Sequence, residues 1–436
     1  MDVKRVSIVV GPGFHNKGGA SIFYGLFKTL QGLNHDIEVV LPSEHPKYDA
    51  LRCKEEILNR LPLKVKVKVL KTHIIPHLRA LAAILLSILW RALHIETNGA
   101  IGKELKEVYF KADLTIVGTN GIFSTQHGSR NFFLNFYPIL IAKILGKPVV
   151  IYAASIEPLK RRFKLLGFLA FNLVDLITLR EARSYEYLRR LNVRRPLTVL
   201  TADLAFLLDP ISVEQANRLL FSKIKVDRKN VFLVGVAPSS LVPSLGAPHL
   251  KSYSSRYHEY IKTLAELIDY LIDKYSATIA LVAHARRMVY EGDDRSVCED
   301  IYHLVKRKES VFFLNKEEDL TAAELKGIFR LFDAFIGSRT HAVINALSEK
   351  VPSIFITDRT HKSDIITNML GQSKWVLYGL PTAPTLKSMV DSLMMKRDEI
   401  KTELNSKILR SKKLALRNGE LLKLLISGCK VRLVSG

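Results

Sequence analysis

At 436 residues the chain is too long for one ordinary core, so two domains of about 200 residues each are expected. Apolar residues make up 48% and charged residues 25%, which excludes a disordered or fibrous chain, and three scattered cysteines (Cys53, Cys298, Cys429) exclude a disulfide framework and fit a reducing compartment. The net charge of +23 predicts an anionic partner. The basic residues form no recognition helix or arm and no aromatics are interleaved with them, so anionic lipid or a phosphate- and carboxylate-bearing substrate is expected and nucleic acid is not.

Met1 to Arg5 runs into Val6–Val10, too short an apolar run for a signal peptide and read as a first buried strand. Ala20–Leu30 reads as a helix, Ile37–Leu41 as a strand, and Lys64–Leu70, alternating Lys and Val, as a half-exposed edge strand. Ala80–Trp90, bracketed by Arg79 and Arg91, is well short of the roughly 20 residues that span a bilayer; a core helix is the preferred reading and an interfacial helix the alternative. Asp113–Gly118 is a strand leading to Thr119-Asn120-Gly121, and Asn131–Leu145 a helix stopped by Gly146-Lys147-Pro148. Val149–Ala153 and Leu176–Leu179 continue the strand series.

A break follows Asp203–Pro210, and the polar residues 211–230 read as a linker. Val231–Ala237 then opens a second series, followed by a Pro/Gly/Ser-rich loop, a helix over Tyr257–Lys274 and strands at Thr278–Ala283 and Val311–Leu314. Leu320–Arg330 is a helix, Ala334–Ile336 a strand, His341–Leu347 a helix and Pro352–Ile356 a strand; Lys387–Ile426 is basic and largely helical. Strands alternating with helices predict an α/β protein of two Rossmann-like parallel-sheet domains facing a cleft, over residues 1–210 and 231–385, with a basic helical segment over 386–436.

Three segments carry candidate chemistry. Gly11 to Gly19 lies between a strand and a helix, where glycines admit a ligand to the backbone; its spacing is neither a dinucleotide fingerprint nor a Walker loop. A tight turn explains its glycines equally well, whereas nothing structural requires Asn16 and Lys17. Arg180, at the junction of a strand and a helix, would point at the cleft, or else form a surface ion pair with Glu181. Ser338-Arg339-Thr340-His341 follows a strand that stops at Gly337. The helix start favours an anion, Arg339 offers a planar fork, and His341 is placed to move a proton, against the plainer reading of Ser338 or Thr340 as an N-cap. Lys362 sits one strand-to-helix crossover later, so Arg180, Arg339, His341 and Lys362 would suit a substrate with both phosphate and carboxylate. His284 and His127 are weaker candidates, and no grouping has metal-ligand spacing.

At these residues the chain resembles the polysaccharide pyruvyl transferase family. Asn16-Lys17-Gly18-Gly19-Ala20 is similar to its N-terminal glycine loop. Arg180-Glu181-Ala182-Arg183-Ser184 is similar to its Arg-Asp-x-x-Ser motif, with Glu for Asp, and Asp203-Leu204-Ala205-Phe206 to its Asp-x-x-Phe. Ser338-Arg339-Thr340-His341-Ala342, then Val351-Pro352, resembles its most specific signature. The resemblance implies a GT-B-like fold and transfer of the enolpyruvyl unit of phosphoenolpyruvate to a sugar as a ketal, with no metal or cofactor. It further implies that Arg180, His341 and Lys362 contact phosphoenolpyruvate, with Arg339 and Ser338 beside them and His341 and Arg339 catalytic. Asn16, Lys17, Gly18 and Asn120 would form an acceptor-side loop. The expected acceptor is a cell-surface glycan or its lipid-linked precursor, and the expected location is the cytoplasm, with peripheral contact with the anionic inner face of the membrane. A nucleotide-sugar glycosyltransferase of the same architecture, using Glu324 or Asp333 for the ribose, is the alternative. A non-catalytic basic lipid- or nucleic-acid-binding protein ranks third.

Overall fold

The computed structural model describes residues 4–9, 11, 13–33, 37–62, 65–71, 77–93, 99–118, 122–125, 129–224, 231–242, 252–286, 292–357 and 363–428. They form two compact units: residues 1–14, 22–207 and 412–436, and residues 15–21 and 208–411. Lys362, Asn120 and His127, singled out from the sequence, lie outside the described residues.

The first unit holds a parallel sheet of β1 (Arg5–Val9), β2 (Ile37–Ser43), β3 (Val65–Lys71), β4 (Leu114–Val117), β5 (Ile122–Phe123), β6 (Val149–Ile156), β7 (Leu176–Leu179) and β8 (Leu197–Leu200). The order is β3-β2-β1-β4-β6-β7-β8, with β5 paired to β6. Every residue of β6 is buried, as expected of a strand covered on both faces, whereas β3 lies at the edge and alternates half-buried valines with exposed lysines. Helices α1 (Lys17–Leu30), α2 (His77–Leu93), α3 (Arg130–Ile144), α4 (Lys164–Leu173) and α5 (Ala182–Arg190) intervene. The Ala80–Trp90 stretch is thus the body of α2, and among the described residues no helix is long and apolar enough to cross a membrane.

The second unit repeats the plan with β9 (Phe232–Ala237), β10 (Ala277–Leu281), β11 (Val311–Phe313), β12 (Ala334–Gly337), β13 (Ser353–Thr357) and β14 (Val376–Tyr378), all parallel in the order β11-β10-β9-β12-β13-β14. Its helices include α6 (Val213–Ile224), α7 (Tyr253–Tyr275), α8 (Asp294–Leu304), α9 (Ala322–Phe329) and α10 (Thr340–Ser348). The stretch expected as a linker is instead α6, whose buried Ala216 and Leu220 fall on the stripe packed against α9; its polar outer face hid the helix. A Thr321–Glu324 capping box starts α9.

Two boundaries differ from the sequence reading. Residues 15–21 group with the second unit rather than with residues 1–210. The final helix α11 (Arg397–Ile426) is not a separate basic segment, because its residues from Lys412 belong to the first unit. There the buried Asn418 accepts from the Thr201 hydroxyl at 3.0 Å, and Gly419 lies so close to Thr29 that an added Cβ would sit 2.7 Å from its carbonyl oxygen.

Candidate functional site

Within the second sheet, connections run one way from β9 and the other way from β12, and the two are neighbours. Ligands of open parallel sheets sit at the carboxyl ends of strands at such a reversal. Pro238-Ser239 leaves β9 there, and Ser338-Arg339 leaves β12. The Ser338 amide donates to the Ala237 carbonyl at 2.8 Å. The Ser338 hydroxyl is hydrogen-bonded to the Tyr260 hydroxyl at 2.7 Å, which also accepts from the Ser239 amide at 3.1 Å. Burial pushes the Tyr260 phenol up, keeping it neutral, so it ties the two strand ends together.

Arg339 has extended backbone at the start of α10, and its carbonyl accepts the first helical bond, from Val343. Its side chain does not open toward solvent. It is buried, with Nη2 donating to Asp294 Oδ1 at 2.7 Å and Nε to Asp294 Oδ2 at 3.0 Å. Asp294 is fully buried and also accepts from the Ala285 amide at 2.9 Å. The expected anion fork is therefore closed on an internal carboxylate, since a guanidinium taken out of water needs a counter-charge.

His341, in the first turn of α10, stays partly exposed. Gly18 lies against it: a Cβ on Gly18 would sit 2.6 Å from His341 Cβ and 2.8 Å from Nδ1, so only glycine fits. The loop bearing Gly18 is fastened to the segment after β10. Asn16 bridges Ala285, the Lys17 amide donates to the His284 carbonyl at 3.1 Å and the Arg286 amide to the His15 carbonyl at 3.2 Å. The Asn16 side chain accepts from the Gly18 amide at 2.9 Å. Lys17 is buried with Nζ 2.8 Å from Asp319 Oδ1, which Arg286 Nε also approaches at 3.1 Å. The loop expected on the acceptor side thus belongs to the same unit as His341.

His284, a weaker candidate from the sequence, follows β10 in the same unit. Its side chain is 1% exposed and, among the described residues, neither ring nitrogen has a hydrogen-bond partner. Burial, together with the nearby His341, Arg339 and Lys17, holds its pKa well below the usual histidine range, so it is a neutral imidazole. Its position just past a strand end was the available signal. The two described thiols are not alternatives: burial pushes Cys53 up to about 12 and Cys298 well above its usual value. Among the described residues no three His, Cys, Asp or Glu side chains are grouped to hold a metal ion.

Arg180 belongs to the first unit and, contrary to expectation, does not reach toward open space. It is 1% exposed, with Nε donating to Ser155 Oγ at 2.7 Å and Nη1 to Asp203 Oδ2 at 2.8 Å. Glu181 accepts from Ser155 at 2.9 Å and from Ser184. A bulge in β6 places Ala153 at φ +47°, its amide donating to Thr178 Oγ1, shortly before Ser155. The Arg-Glu-x-x-Ser and Asp-x-x-Phe motifs are thereby two halves of one buried network.

Burial pushes the Glu181 carboxyl up to about 7, against the lowering pull of Arg180 and the two hydroxyls. Its folded pKa lies above its ordinary 4.5, so the folded state holds the extra proton between these values and stability falls as pH rises through that window. The unfolding free energy from urea titration is therefore expected to drop from pH 5 to pH 8, by at most about 3 kcal/mol from this group, and Glu181→Gln is expected to flatten the slope. An unchanged slope in the variant would assign the effect elsewhere.

Residues 16–359 match the polysaccharide pyruvyl transferase family. The amylovoran biosynthesis protein AmsJ of Erwinia amylovora is 23% identical over 395 residues, covering 87% of this chain and 86% of that protein. Among solved structures, HepE of Anabaena in complex with UDP-glucose superimposes with a TM-score of 0.56 at 12% identity, over 98% of this chain and 100% of that one. The UDP-GlcNAc 2-epimerase of Methanocaldococcus jannaschii gives 0.61 at 15%, over 97% and 100%. These two share the GT-B-type fold alone. The family match spans most of the chain and includes both the glycine loop and the Ser338–His341 strand end, and the chain accordingly belongs to the polysaccharide pyruvyl transferase family, as a transferase with a role in polysaccharide biosynthesis.

Proposed function

We propose that the chain transfers the enolpyruvyl unit of phosphoenolpyruvate to a sugar of a cell-surface polysaccharide or of its lipid-linked precursor, forming a ketal and releasing phosphate, with no cofactor. The observation that carries this reading is His341, partly exposed beside the chain reversal of the second sheet and backed by the neutral His284.

The reaction needs a proton on the methylene carbon of the enol. That proton makes the neighbouring carbon cationic, one sugar hydroxyl attacks it, and the C–O bond to phosphate breaks. A second hydroxyl on the same sugar then closes the ketal, and two protons are released from the hydroxyls for the one consumed. His341 is the proton carrier in this scheme. A second, uncharged imidazole near it favours proton exchange without adding a competing cation. Lys362 and the amides of the α10 start hold the donor's anionic groups, with Ser338 beside them. Arg339 acts from within its Asp294 pair, as a fixed positive charge and a brace for the Ser338–His341 turn. Asn16, Lys17 and Gly18 form the acceptor-side loop of this reading, while Arg180 acts as a support of the first sheet.

The test is phosphate release from phosphoenolpyruvate with a glycan acceptor, coupled to detection of the ketal methyl group by NMR. Phosphate release with no new methyl signal would refute the ketal. Gly18→Ala is expected to cut turnover at least tenfold and to cost roughly 1–3 kcal/mol of overpacking, partly offset by better helix propensity. Wild-type turnover in this variant would detach His341 from the chemistry.

Against a nucleotide-sugar donor stand the two carboxylates available for a ribose. Glu324 is engaged in the α9 capping box, accepting from the Thr321 amide at 2.7 Å, and Asp333 accepts from the Leu233 amide at 2.8 Å at the start of β9.

A further inference from the structure

Helices α2 and α4 of the first unit both pack against α3, and each leaves an apolar stripe uncovered. On α2 the buried side carries Ala80, Ala83, Ser87 and Trp90, while Leu81, Leu85 and Ile88, one and two turns apart, are 57%, 57% and 47% exposed. On α4 the buried side carries Gly167, Ala170 and Phe171, while Leu165 and Leu169 are 68% and 48% exposed. Several large aliphatic side chains are rarely left exposed on two helices that flank a third unless something covers them. The segment leading into α4 supplies a second observation. Lys160, Arg161, Arg162 and Lys164 are all exposed within five positions of Leu165, and Arg162 leans over the Phe163 ring at 4.9 Å.

We propose that this face of the first unit docks on an anionic lipid bilayer, the leucines of α2 and α4 entering the headgroup–acyl boundary and the basic residues 160–164 meeting lipid phosphates. A second copy of the chain fits the same surface poorly, because each copy would bring its own basic rim, and the chain as a whole carries +23. A bilayer with acidic headgroups satisfies both halves of the patch. The inference does not depend on the identity of the donor substrate.

Vesicle co-sedimentation of the full chain tests it, using phosphatidylcholine alone and with about 30% phosphatidylglycerol, at about 50 mM and about 500 mM salt. Binding is expected only to the acidic vesicles and to weaken at the higher salt. Arg161→Glu/Arg162→Glu is expected to lower partitioning more than tenfold, since each surface cation contributes roughly fivefold. Leu165→Gln/Leu169→Gln is expected to lower it about tenfold at unchanged salt dependence, separating the apolar part from the charged part. All four positions are exposed, and unchanged melting of both variants would verify that the fold is intact. Absence of binding to acidic vesicles, or equal binding by both variants and wild type, overturns the proposal. Concentration-dependent self-association that the leucine variant abolishes, with no vesicle binding, assigns the face to a second copy and overturns it as well.

Discussion

Replacing His341 with alanine is expected to reduce turnover roughly 10²- to 10⁴-fold, the range that positioned general acids and bases supply. The enolpyruvyl double bond is polarised by its oxygen, but the reaction does not start until a proton reaches carbon, so loss of the carrier falls on the chemical step. Donor affinity is expected to change little, because the anionic groups of phosphoenolpyruvate are assigned to Lys362 and the helix start. His341→Ala should therefore lower kcat with KM nearly unchanged. A solvent deuterium effect that grows in His341→Gln would place the lost proton transfer in the rate-limiting step. A variant that raised KM and left kcat intact would make His341 a binding residue.

The second large effect is on stability. Asp294→Ala strands the Arg339 guanidinium in a buried position, and breaking one side of such a pair costs about 3–5 kcal/mol. It also removes the acceptor of the Ala285 amide, in the segment to which the glycine loop is fastened. Asp294→Ala is expected to melt far below wild type, whereas Asp294→Leu/Arg339→Met, which removes both charges, should be less damaging than the single change. The double-mutant cycle measures that difference directly. If Asp294→Ala cost under about 1 kcal/mol, Arg339 would have other support and would be released to act on a ligand.

Much of this architecture was legible because buried parallel strands write themselves as short apolar runs. β1, β6, β9 and β12 each end within a residue or two of a glycine, a proline or a small polar residue, or are followed closely by one, and their positions followed from that alone. Ser338–His341 was legible for the same reason: a strand that stops at glycine and restarts as a helix marks a place where side chains can converge. Three things were not legible. The fate of an arginine depends on what lies opposite it, and the partners of Arg180 and Arg339 come from Asp203 and Asp294, 23 and 45 positions away. Sequence proximity offered Glu181 as the partner of Arg180, and that pair is the longer contact at 3.7 Å. Likewise, α6 hides in a polar stretch because only Ala216 and Leu220 record its inner face. The main-chain partners of the Asn16–Gly18 loop, the residues around Ala285, lie in the second unit and far along the chain.

The proposed donor can be tested directly by calorimetric titration of phosphoenolpyruvate into the wild-type chain and into His341→Ala, with UDP-glucose as the comparison. Saturable phosphoenolpyruvate binding is expected in both proteins at similar affinity, with turnover lowered at least about 10²-fold in His341→Ala and no heat from UDP-glucose. Binding of UDP-glucose with none of phosphoenolpyruvate would contradict the enolpyruvyl reading and make the chain a nucleotide-sugar enzyme on the same fold.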